Sequence, residues 1–218
     1  MSFEKALNKS CNVVFAEIAY ELGSEKMTAT AERLGFNNTN IMVSEKIRSA
    51  KSKINLTEAA ALDLGWAGIG QYTTLINPCQ MLTIVSAIAN NGNAPTPQIV
   101  NQIISPEGKI TYSMATETLG EYFTSDTATK LDDLLRSNVK NYYGDSYFPQ
   151  MKMCGKTGTA EVSDSEDAKP NALFIGYSQN DNTPFAIIVV VEDTTVSMTS
   201  AVPIASKVMK TVKTEYAK

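Results

Sequence analysis

The chain has 218 residues, with 19 basic and 23 acidic side chains, a formal net charge of −4 and no histidine. This length exceeds the ~150-residue domain prior by about half, so we expect one large domain or two small ones. The missing histidine excludes Ser-His-Asp and Cys-His catalysis and His-ligated metal sites. The scattered basic residues exclude a nucleic-acid surface, and no apolar run approaches the ~18 residues of a membrane helix.

Two consecutive helices are predicted near the start of the chain. Apolar residues recur at helical spacing over residues 12–22, and Gly23 is a typical helix-ending residue. Ser24 can cap a second short helix that Gly35 closes. Residues 36–55 lack periodicity, which favours an irregular surface loop. The apolar stripes consist of Val14, Phe15, Ile18, Ala19 and Leu22 in the first helix and Met27, Ala31 and Leu34 in the second.

Two further helices and a hairpin are predicted next. Asn77 is a capping residue, and Pro78 occupies the first position of a helix that should be buried up to residue 89. Residues 98–104 and 110–112 flank a turn sequence and predict a small hairpin. Thr124 opens another helix that ends before Gly144. The inner residues should be Met81, Leu82, Val85, Ile88 and Ala89 in the first helix and Ala128, Leu131, Leu134, Leu135 and Val139 in the second.

The last third of the chain predicts an antiparallel sheet. Residues 152–162, 172–177 and 185–192 are strand candidates, and the last of them is almost continuously apolar, which favours a central position. Asn180-Asp181-Asn182 is a turn that pairs the second strand with the third. Residues 203–216 form an amphipathic helix that can cover the sheet. We therefore predict an α/β protein of the α+β type, mainly helical over 1–150, with the sheet and closing helix over 151–218.

Two short motifs carry candidate chemistry. Ser10-Cys11-Asn12 precedes the first predicted helix, and Gly155-Lys156-Thr157-Gly158-Thr159-Ala160 lies in the first predicted strand. The alternative for the first motif is a helix cap, and the alternative for the second is an edge strand with a bulge or a close backbone approach. A phosphate-binding loop is disfavoured because Gln150 stands where that motif needs glycine. The glycines of 65–70 favour a tight turn over a dinucleotide fingerprint.

Ser-x-Asn followed by Lys-Thr-Gly resembles the second and third motifs of the serine transpeptidases and β-lactamases that recognise penicillin. Further segments occur in the order seen in class B penicillin-binding proteins, which the chain resembles over nearly its whole length. The resemblance implies an incomplete transpeptidase fold of the penicillin-binding protein and β-lactamase type. The matching segments are 8–16, 34–36, 68–71, 77–81, 89–92, 155–161 and 174–177.

The resemblance also implies roles for these motifs. Ser10 would relay a proton, as suits a protein without histidine, and Asn12 would hold a backbone amide of the substrate. Lys156 would place positive charge beside the substrate carboxylate, and the hydroxyls of Thr157 and Thr159 would donate to it. Gly158 would belong to the same substrate-binding segment, and the Thr159 N–H would form one arm of an oxyanion hole. The implied ligands are D-Ala-D-Ala stem peptides and β-lactams, with no metal or organic cofactor.

The first motif of the family, Ser-x-x-Lys, supplies the nucleophile and the base, and here it has no match in the expected place. The bare pattern occurs at residues 2–5 and 137–140, and we interpret both as chance matches. The chain should then be a partial transpeptidase domain over 1–218, inactive alone, that depends on the rest of that domain or on a second chain. The alternatives are a non-catalytic stem-peptide or β-lactam sensor and, third, a β-lactamase relative.

The remaining expectations concern thiols and location. Cys11, Cys79 and Cys154 have no zinc or CxxC spacing and predict free or buried thiols. Cys11 and Cys154 would be sensitive to oxidation if exposed. The N-terminus has no signal-peptide core, so we expect a soluble chain. The resemblance places the parent protein on the outer face of the cytoplasmic membrane, through an anchor absent from this sequence.

Overall fold

The computed structural model describes residues 1–37, 41, 47–115, 117–163, 165, 167–194 and 196–216. Its architecture is a mixture of helices and antiparallel sheet. The helices are α1 (Phe3–Asn8), α2 (Asn12–Arg33), α3 (Ala61–Gly68), α4 (Pro78–Ala89), α5 (Ser125–Asn138) and α6 (Ala201–Tyr216). The strands are β1 (Asn93–Pro95), β2 (Gln102–Ile104), β3 (Ile110–Ser113), β4 (Thr118–Glu121), β5 (Met153–Ala160), β6 (Asn171–Ser178) and β7 (Ala186–Val191).

The main sheet has the strand order β5-β6-β7, with both pairs antiparallel. The prediction that the last strand is central was wrong, because β6 lies between the other two in the described part of the chain. The apolar run of β7 has a different cause. Ile187 packs in the core that α6 covers, whereas Ala186 packs toward the cluster that holds Val85 of α4. Because helices cover both faces of the sheet, neither face of β7 requires polar residues.

The core beneath α6 consists of side chains from β5, β6, β7, α6 and the segment before the sheet. Phe174 and Phe148 are fully buried there, and their rings stack with centroids 5.4 Å apart. The predicted role of the closing helix, that of covering the sheet, is confirmed by this packing. The buried members of this core are Val139, Phe148, Met151, Met153, Ala172, Phe174, Ile187, Ala201, Val202, Ala205 and Met209.

The predicted helices 12–22 and 24–34 form α2, whose backbone departs from helical geometry at Gly23 with φ 76°. Leu22 was wrongly assigned to the buried stripe, because it is exposed whereas Ala19 is buried. The start of α4 is confirmed, since the Asn77 side chain accepts hydrogen bonds from the N–H groups of Cys79 and Gln80. The inward face of α4 differs from the prediction, because Ala89 is exposed.

The hairpin was predicted correctly and is formed by β2 and β3. The helix opened by Thr124 is α5, and the Thr124 hydroxyl accepts from the N–H of Thr127. After Asn138 the chain continues as a five-residue π-helical turn, Val139–Tyr143, which ends at Gly144 with φ 96°. This π-helical turn brings Tyr143 beside β5.

Other expectations for the first half were wrong or incomplete. Most of the glycine segment predicted as a tight turn belongs to α3, and the turn follows at Gly70 with φ 86°. In the predicted surface loop over 36–55, residues 38–40 and 42–46 lie outside the described residues, but Ile41, Ser52 and Ile54 are buried. None of the described helices is long and apolar enough to cross a membrane.

Candidate active site

Strand β5 changes from buried to exposed as it reaches the Lys-Thr-Gly motif. Gly155 is buried, Lys156 and Thr157 are half-buried, and Gly158 and Thr159 are exposed. The predicted bulge is absent from the β5–β6 pairing, whose register is regular throughout the described strands. The alternative of a close approach is correct for Gly155, where a Cβ would lie 2.7 Å from the carbonyl oxygen of Ile175.

Among the described residues, the outer edge of β5 is held by side chains and no further strand pairs with it. Arg136 donates to the Met153 carbonyl (2.8 Å), and Asn138 donates to the Gly155 carbonyl (2.7 Å). At Thr157 the backbone N–H donates to the Tyr143 hydroxyl (3.0 Å). Sequence reasoning missed all three contacts. The signal that could have revealed them is the position of polar residues at the end of a helix directly before the strand.

The alternation along β5 determines where this edge becomes open. In an antiparallel strand the N–H and C=O of one residue point to the same side, and successive residues alternate. The backbone polar groups of Met153, Gly155 and Thr157 point away from β6. Because the strand is regular, the backbone N–H and C=O of Thr159 point the same way. Among the described residues no side chain accepts a hydrogen bond from the Thr159 N–H. The edge is therefore held as far as Thr157 and is free to bind another group at Thr159.

Ser10 lies in a tight turn between α1 and α2. Its φ of 50° is in the left-handed region, which is uncommon for a residue with a side chain and typical of functional sites. The N-cap position of α2 is Cys11, so the helix-cap alternative for Ser10 or Asn12 was wrong. The Ser10 hydroxyl instead accepts a hydrogen bond from the Lys156 ammonium, which also donates to the Thr157 carbonyl at 2.8 Å.

Asn12 and Thr159 line the same cleft, which has a volume of about 580 Å³. One wall is the start of α2 together with α3 and the turn after it. The opposite wall is the end of β5 and the segment that follows it. Of the six predicted site residues, only Asn12 and Thr159 line this cleft. The other lining residues are Trp66, Ile69, Gln71, Glu161, Val162, Ser163, Ser165, Ala168, Lys169 and Pro170.

Ser197 supports the end of the motif strand from the segment before α6. Its hydroxyl donates to the Gly158 carbonyl and lies 3.3 Å from the Thr159 hydroxyl. Ser197 is buried, whereas Thr159 is exposed. These contacts link the end of β5 to the segment before α6. Sequence analysis did not identify this residue, because it lies 38 positions beyond the motif.

The serines of both bare matches to Ser-x-x-Lys are engaged in hydrogen bonds with other residues of the described chain. The Ser2 hydroxyl accepts a hydrogen bond from the Lys5 N–H (3.3 Å) and caps α1. The Ser137 hydroxyl donates to the Glu4 carboxylate and accepts from Asn141 (3.0 Å). Within the described part of the chain, neither serine lines the cleft that contains Asn12 and Thr159. The interpretation of both patterns as chance matches stays a prediction.

A larger cleft of about 730 Å³ lies between α4, α5 and the β6–β7 turn. It contains none of the predicted site residues, so its size does not make it the candidate active site. At its base, Asp132 accepts hydrogen bonds from the Tyr177 hydroxyl (2.6 Å) and the Gln179 amide (2.5 Å). The thiol of Cys154 packs against the same carboxylate, and burial raises its pKa. The predicted oxidation sensitivity of Cys154 required exposure, which this buried position does not provide.

One ion pair stabilises the segment that holds β5. Arg136 forms a bidentate contact with Asp145, with N–O distances of 2.8 and 2.6 Å. The same guanidinium donates to the Met153 carbonyl. The hydrogen bonds from Arg136 hold the pKa of the Asp145 carboxyl below its usual range.

Comparison with known proteins identifies relatives of this fold. A family model described as the penicillin-binding protein transpeptidase domain matches residues 1–210. A peptidoglycan D,D-transpeptidase of Mycolicibacterium smegmatis, PbpA, is 26% identical over 194 residues, covering 88% of this chain and 39% of the relative. Penicillin-binding protein 3 of Bacillus subtilis is 27% identical over 184 residues, covering 81% of this chain and 26% of the relative.

Solved structures have the same architecture. Penicillin-binding protein A of Mycobacterium tuberculosis, as a ceftriaxone acyl-enzyme, superposes with a TM-score of 0.87 at 23% identity, covering 96% of this chain and 48% of that structure. A D,D-transpeptidase domain from Eggerthella lenta gives 0.84 at 24% identity, covering 97% and 53%. The chain thus spans about half of these structures and less of the curated relatives. It belongs to the transpeptidase family of class B penicillin-binding proteins.

Proposed function

We propose that this chain provides the substrate-carboxylate site and the proton relay of a peptidoglycan D,D-transpeptidase. The observation that carries the proposal is the hydrogen bond from Lys156 to Ser10, which joins two motifs 146 residues apart in the sequence. Residues so far apart come into contact through the fold of the whole chain. The contact places a hydroxyl and an ammonium side by side, close in the chain to the cleft residues Asn12 and Thr159, as acid–base transfer without histidine requires.

The proposed reaction is acyl transfer. A serine oxygen attacks the carbonyl carbon between the two D-alanines of a stem peptide, the peptide C–N bond breaks, and D-alanine leaves with a proton on its nitrogen. The amine of a neighbouring stem then attacks the acyl-serine ester, forms the cross-link and returns the serine proton. A β-lactam enters the same first step, but its leaving nitrogen stays attached, so the serine remains acylated.

Each motif residue has a proposed role in this cycle. Ser10 passes the proton to the leaving nitrogen, and Asn12 holds a backbone amide of the peptide. Lys156 and the hydroxyls of Thr157 and Thr159 bind the terminal carboxylate through charge-assisted hydrogen bonds. Gly158 keeps the backbone beside the substrate free of side-chain atoms. The outward N–H of Thr159 stabilises the oxyanion, an interaction worth about 3 kcal/mol in other enzymes.

We infer that the nucleophile comes from outside these residues, because the hydroxyls of Ser2 and Ser137 are engaged with Lys5 and Glu4 and neither serine lines the cleft. That same observation favours the second candidate, a stem-peptide or β-lactam binding module that does not react. The two candidates make different predictions for the longer protein that contains this chain. A transpeptidase would be acylated by penicillin, whereas a binding module would only hold it. We further propose that the parent protein is anchored in the cytoplasmic membrane and acts on its outer face.

The test is to incubate the 218-residue chain and the longer protein separately with benzylpenicillin and to measure intact masses. We expect no adduct on the chain alone and one adduct on the longer protein. Ser10→Ala in the longer protein should slow the acylation, and Ser137→Ala should leave its rate unchanged. An adduct on Ser2, Ser10 or Ser137 of the chain alone would contradict the proposal. A longer protein that binds penicillin without acylation would favour the binding module.

A further inference from the structure

Tyr143 is the last residue of the π-helical turn that joins α5 to the segment before β5. Such turns are rare and frequently occur at functional sites. The Tyr143 ring packs edge-on against Phe174, with centroids 6.5 Å apart, and its hydroxyl points to the motif strand. This position makes Tyr143 a direct neighbour of the Lys-Thr-Gly motif although 14 residues separate it from Thr157.

The Tyr143 hydroxyl makes two contacts with the same residue. It accepts the Thr157 backbone N–H at 3.0 Å, and it lies 2.9 Å from the Thr157 side-chain oxygen. A tyrosine hydroxyl has one hydrogen to donate. If it donates to the Thr157 oxygen, the hydrogen of the Thr157 hydroxyl is free to donate to a group bound beside the Lys-Thr-Gly motif. An anion bound there selects this arrangement, because hydrogen bonds to a charged acceptor are about twice as strong as neutral ones.

We propose that Tyr143 is a positioning residue that aims the Thr157 hydroxyl at the carboxylate of a bound peptide and so sets the preference of the cleft for a terminal carboxylate over an amide. The inference rests on the proposed function, which supplies that carboxylate. Tyr143 itself stays behind the strand and acts through Thr157. Because Arg136 and Asn138 hold the two preceding outward carbonyls of β5, the strand keeps its place when the Tyr143 hydroxyl is removed.

The test uses NMR titration of the ¹⁵N-labelled chain with N-acetyl-D-Ala-D-Ala and with its C-terminal amide. Tyr143→Phe keeps the ring on Phe174 and removes the hydroxyl. It should weaken carboxylate binding by about 3- to 10-fold, the usual effect of one hydrogen bond, and leave amide binding unchanged. Tyr142→Phe is the matched control, because Tyr142 is exposed, and it should change neither affinity.

Thr157→Val provides an independent variant that removes the hydroxyl Tyr143 is proposed to aim. Thr157→Val should lose the same preference for the carboxylate over the amide. The double variant, Tyr143→Phe with Thr157→Val, should lose no more of this preference than either single variant. Losses that add in the double variant would overturn the inference, as would an unchanged preference in Tyr143→Phe. A wild-type chain that shows no binding at β5, or no preference for the carboxylate, would instead contradict the proposed function and the inference with it. Equal weakening of carboxylate and amide binding would assign Tyr143 a purely structural role.

Discussion

The two walls of the candidate cleft are built very differently. On the sheet side, the 16 residues of α6 contribute four buried side chains to the core that they share with β5, β6 and β7. On the helical side, the 22 residues of α2 contribute a single buried residue, Ala19, within the described part of the chain. Val13, at the cleft end of α2, is 75% exposed, and Leu62 of α3 is 73% exposed. The sheet wall therefore packs on the larger core, whereas the helical wall packs on a smaller buried cluster, which consists of Phe36, Ile54, Leu56, Leu64 and Ala67.

This difference indicates which parts of the site are pre-organised. The motif strand is held on one edge by β6 and on the other by side chains of α5 and the π-helical turn. The helical wall carries Ser10 and Asn12, and it meets the strand through the hydrogen bond between Lys156 and Ser10. The groups proposed to bind the carboxylate should thus be rigid, whereas the hydroxyl proposed as the relay lies on the less firmly packed wall.

The largest expected effect follows from removing the core of the sheet wall. Phe174→Ala deletes a fully buried ring that stacks on Phe148, and such truncations cost about 3–5 kcal/mol. Val13→Ala on the helical wall is the matched control and should change stability by less than about 0.5 kcal/mol, as exposed positions do. Urea unfolding monitored by circular dichroism measures both. Equal losses in the two variants would contradict the comparison of the walls.

Next in size is the effect of crowding the motif strand. Gly155→Ala places a methyl group 2.7 Å from both the Ile175 carbonyl oxygen and the Phe174 ring, and overpacking of this kind costs about 1–3 kcal/mol. Gly158→Ala is a control within the same motif, because its nearest neighbour would be 3.7 Å away. We expect thermal melting to show a lower midpoint for the first variant and little change for the second. If Gly158→Ala were the more damaging of the two, the packing described for β5 would be wrong.

A smaller effect concerns the ion pair that supports the outer edge of β5. The folded-state pKa of Asp145 is lowered from its ordinary value of 3.8, so its stabilising contribution is complete above that value and is lost as the pH falls through the folded-state pKa. Since the carboxylate is half exposed, the contribution should stay below about 1 kcal/mol.

The measurement for this ion pair is the pH dependence of urea unfolding for the wild type and Asp145→Asn. The wild type should be more stable near neutral pH, and the difference should shrink in acid. Asp126→Asn removes an exposed pair with Lys130 that does not contact β5, and it serves as the control. A difference that persists unchanged into strong acid would contradict the assignment.

The last prediction concerns the reactivity of the cysteine thiols in the two walls and involves no change in stability. Cys154 of the sheet wall is fully buried, and burial raises its pKa, so little thiolate is available to react. Cys11 of the helical wall is partly exposed. Iodoacetamide followed by peptide mass mapping should modify Cys11 first and reach Cys154 only in denaturant. Native modification of Cys154 at the rate of Cys11 would mean that the strand opens as readily as the helical wall.

Much of this fold could be predicted from the sequence because local signals specify it. Asn77 with Pro78 fixes the start of α4, and Thr124 fixes the start of α5. In contrast, the position of β7 depends on which helices cover it, and an apolar run does not distinguish an edge strand covered on both faces from a central one. Helix α3 was missed because glycines interrupt its pattern, and their small size allows the helix to pack closely on α2, as Gly68 does against Ala19.

The residues of the candidate site likewise fall into those that local sequence signals identify and those that only the fold brings together. Ser10, Asn12, Lys156, Thr157, Gly158 and Thr159 could be identified because they form short motifs. Tyr143 and Ser197 could not, since they reach the motif strand through tertiary contacts from separate segments. The supporting roles of Arg136 and Asn138 likewise depend on how α5 lies against β5, which no local pattern specifies.

Amide hydrogen exchange measured by NMR tests the central claim most directly, namely that β5 is held as far as Thr157 and open at Thr159. The Thr157 N–H is bonded to Tyr143 and should exchange slowly, as should the amides of α6. The Thr159 N–H and the first turn of α2 should exchange rapidly, and N-acetyl-D-Ala-D-Ala should slow the exchange at Thr159. Equal exchange rates at Thr157 and Thr159, or a Thr159 amide that does not respond to the peptide, would contradict this account.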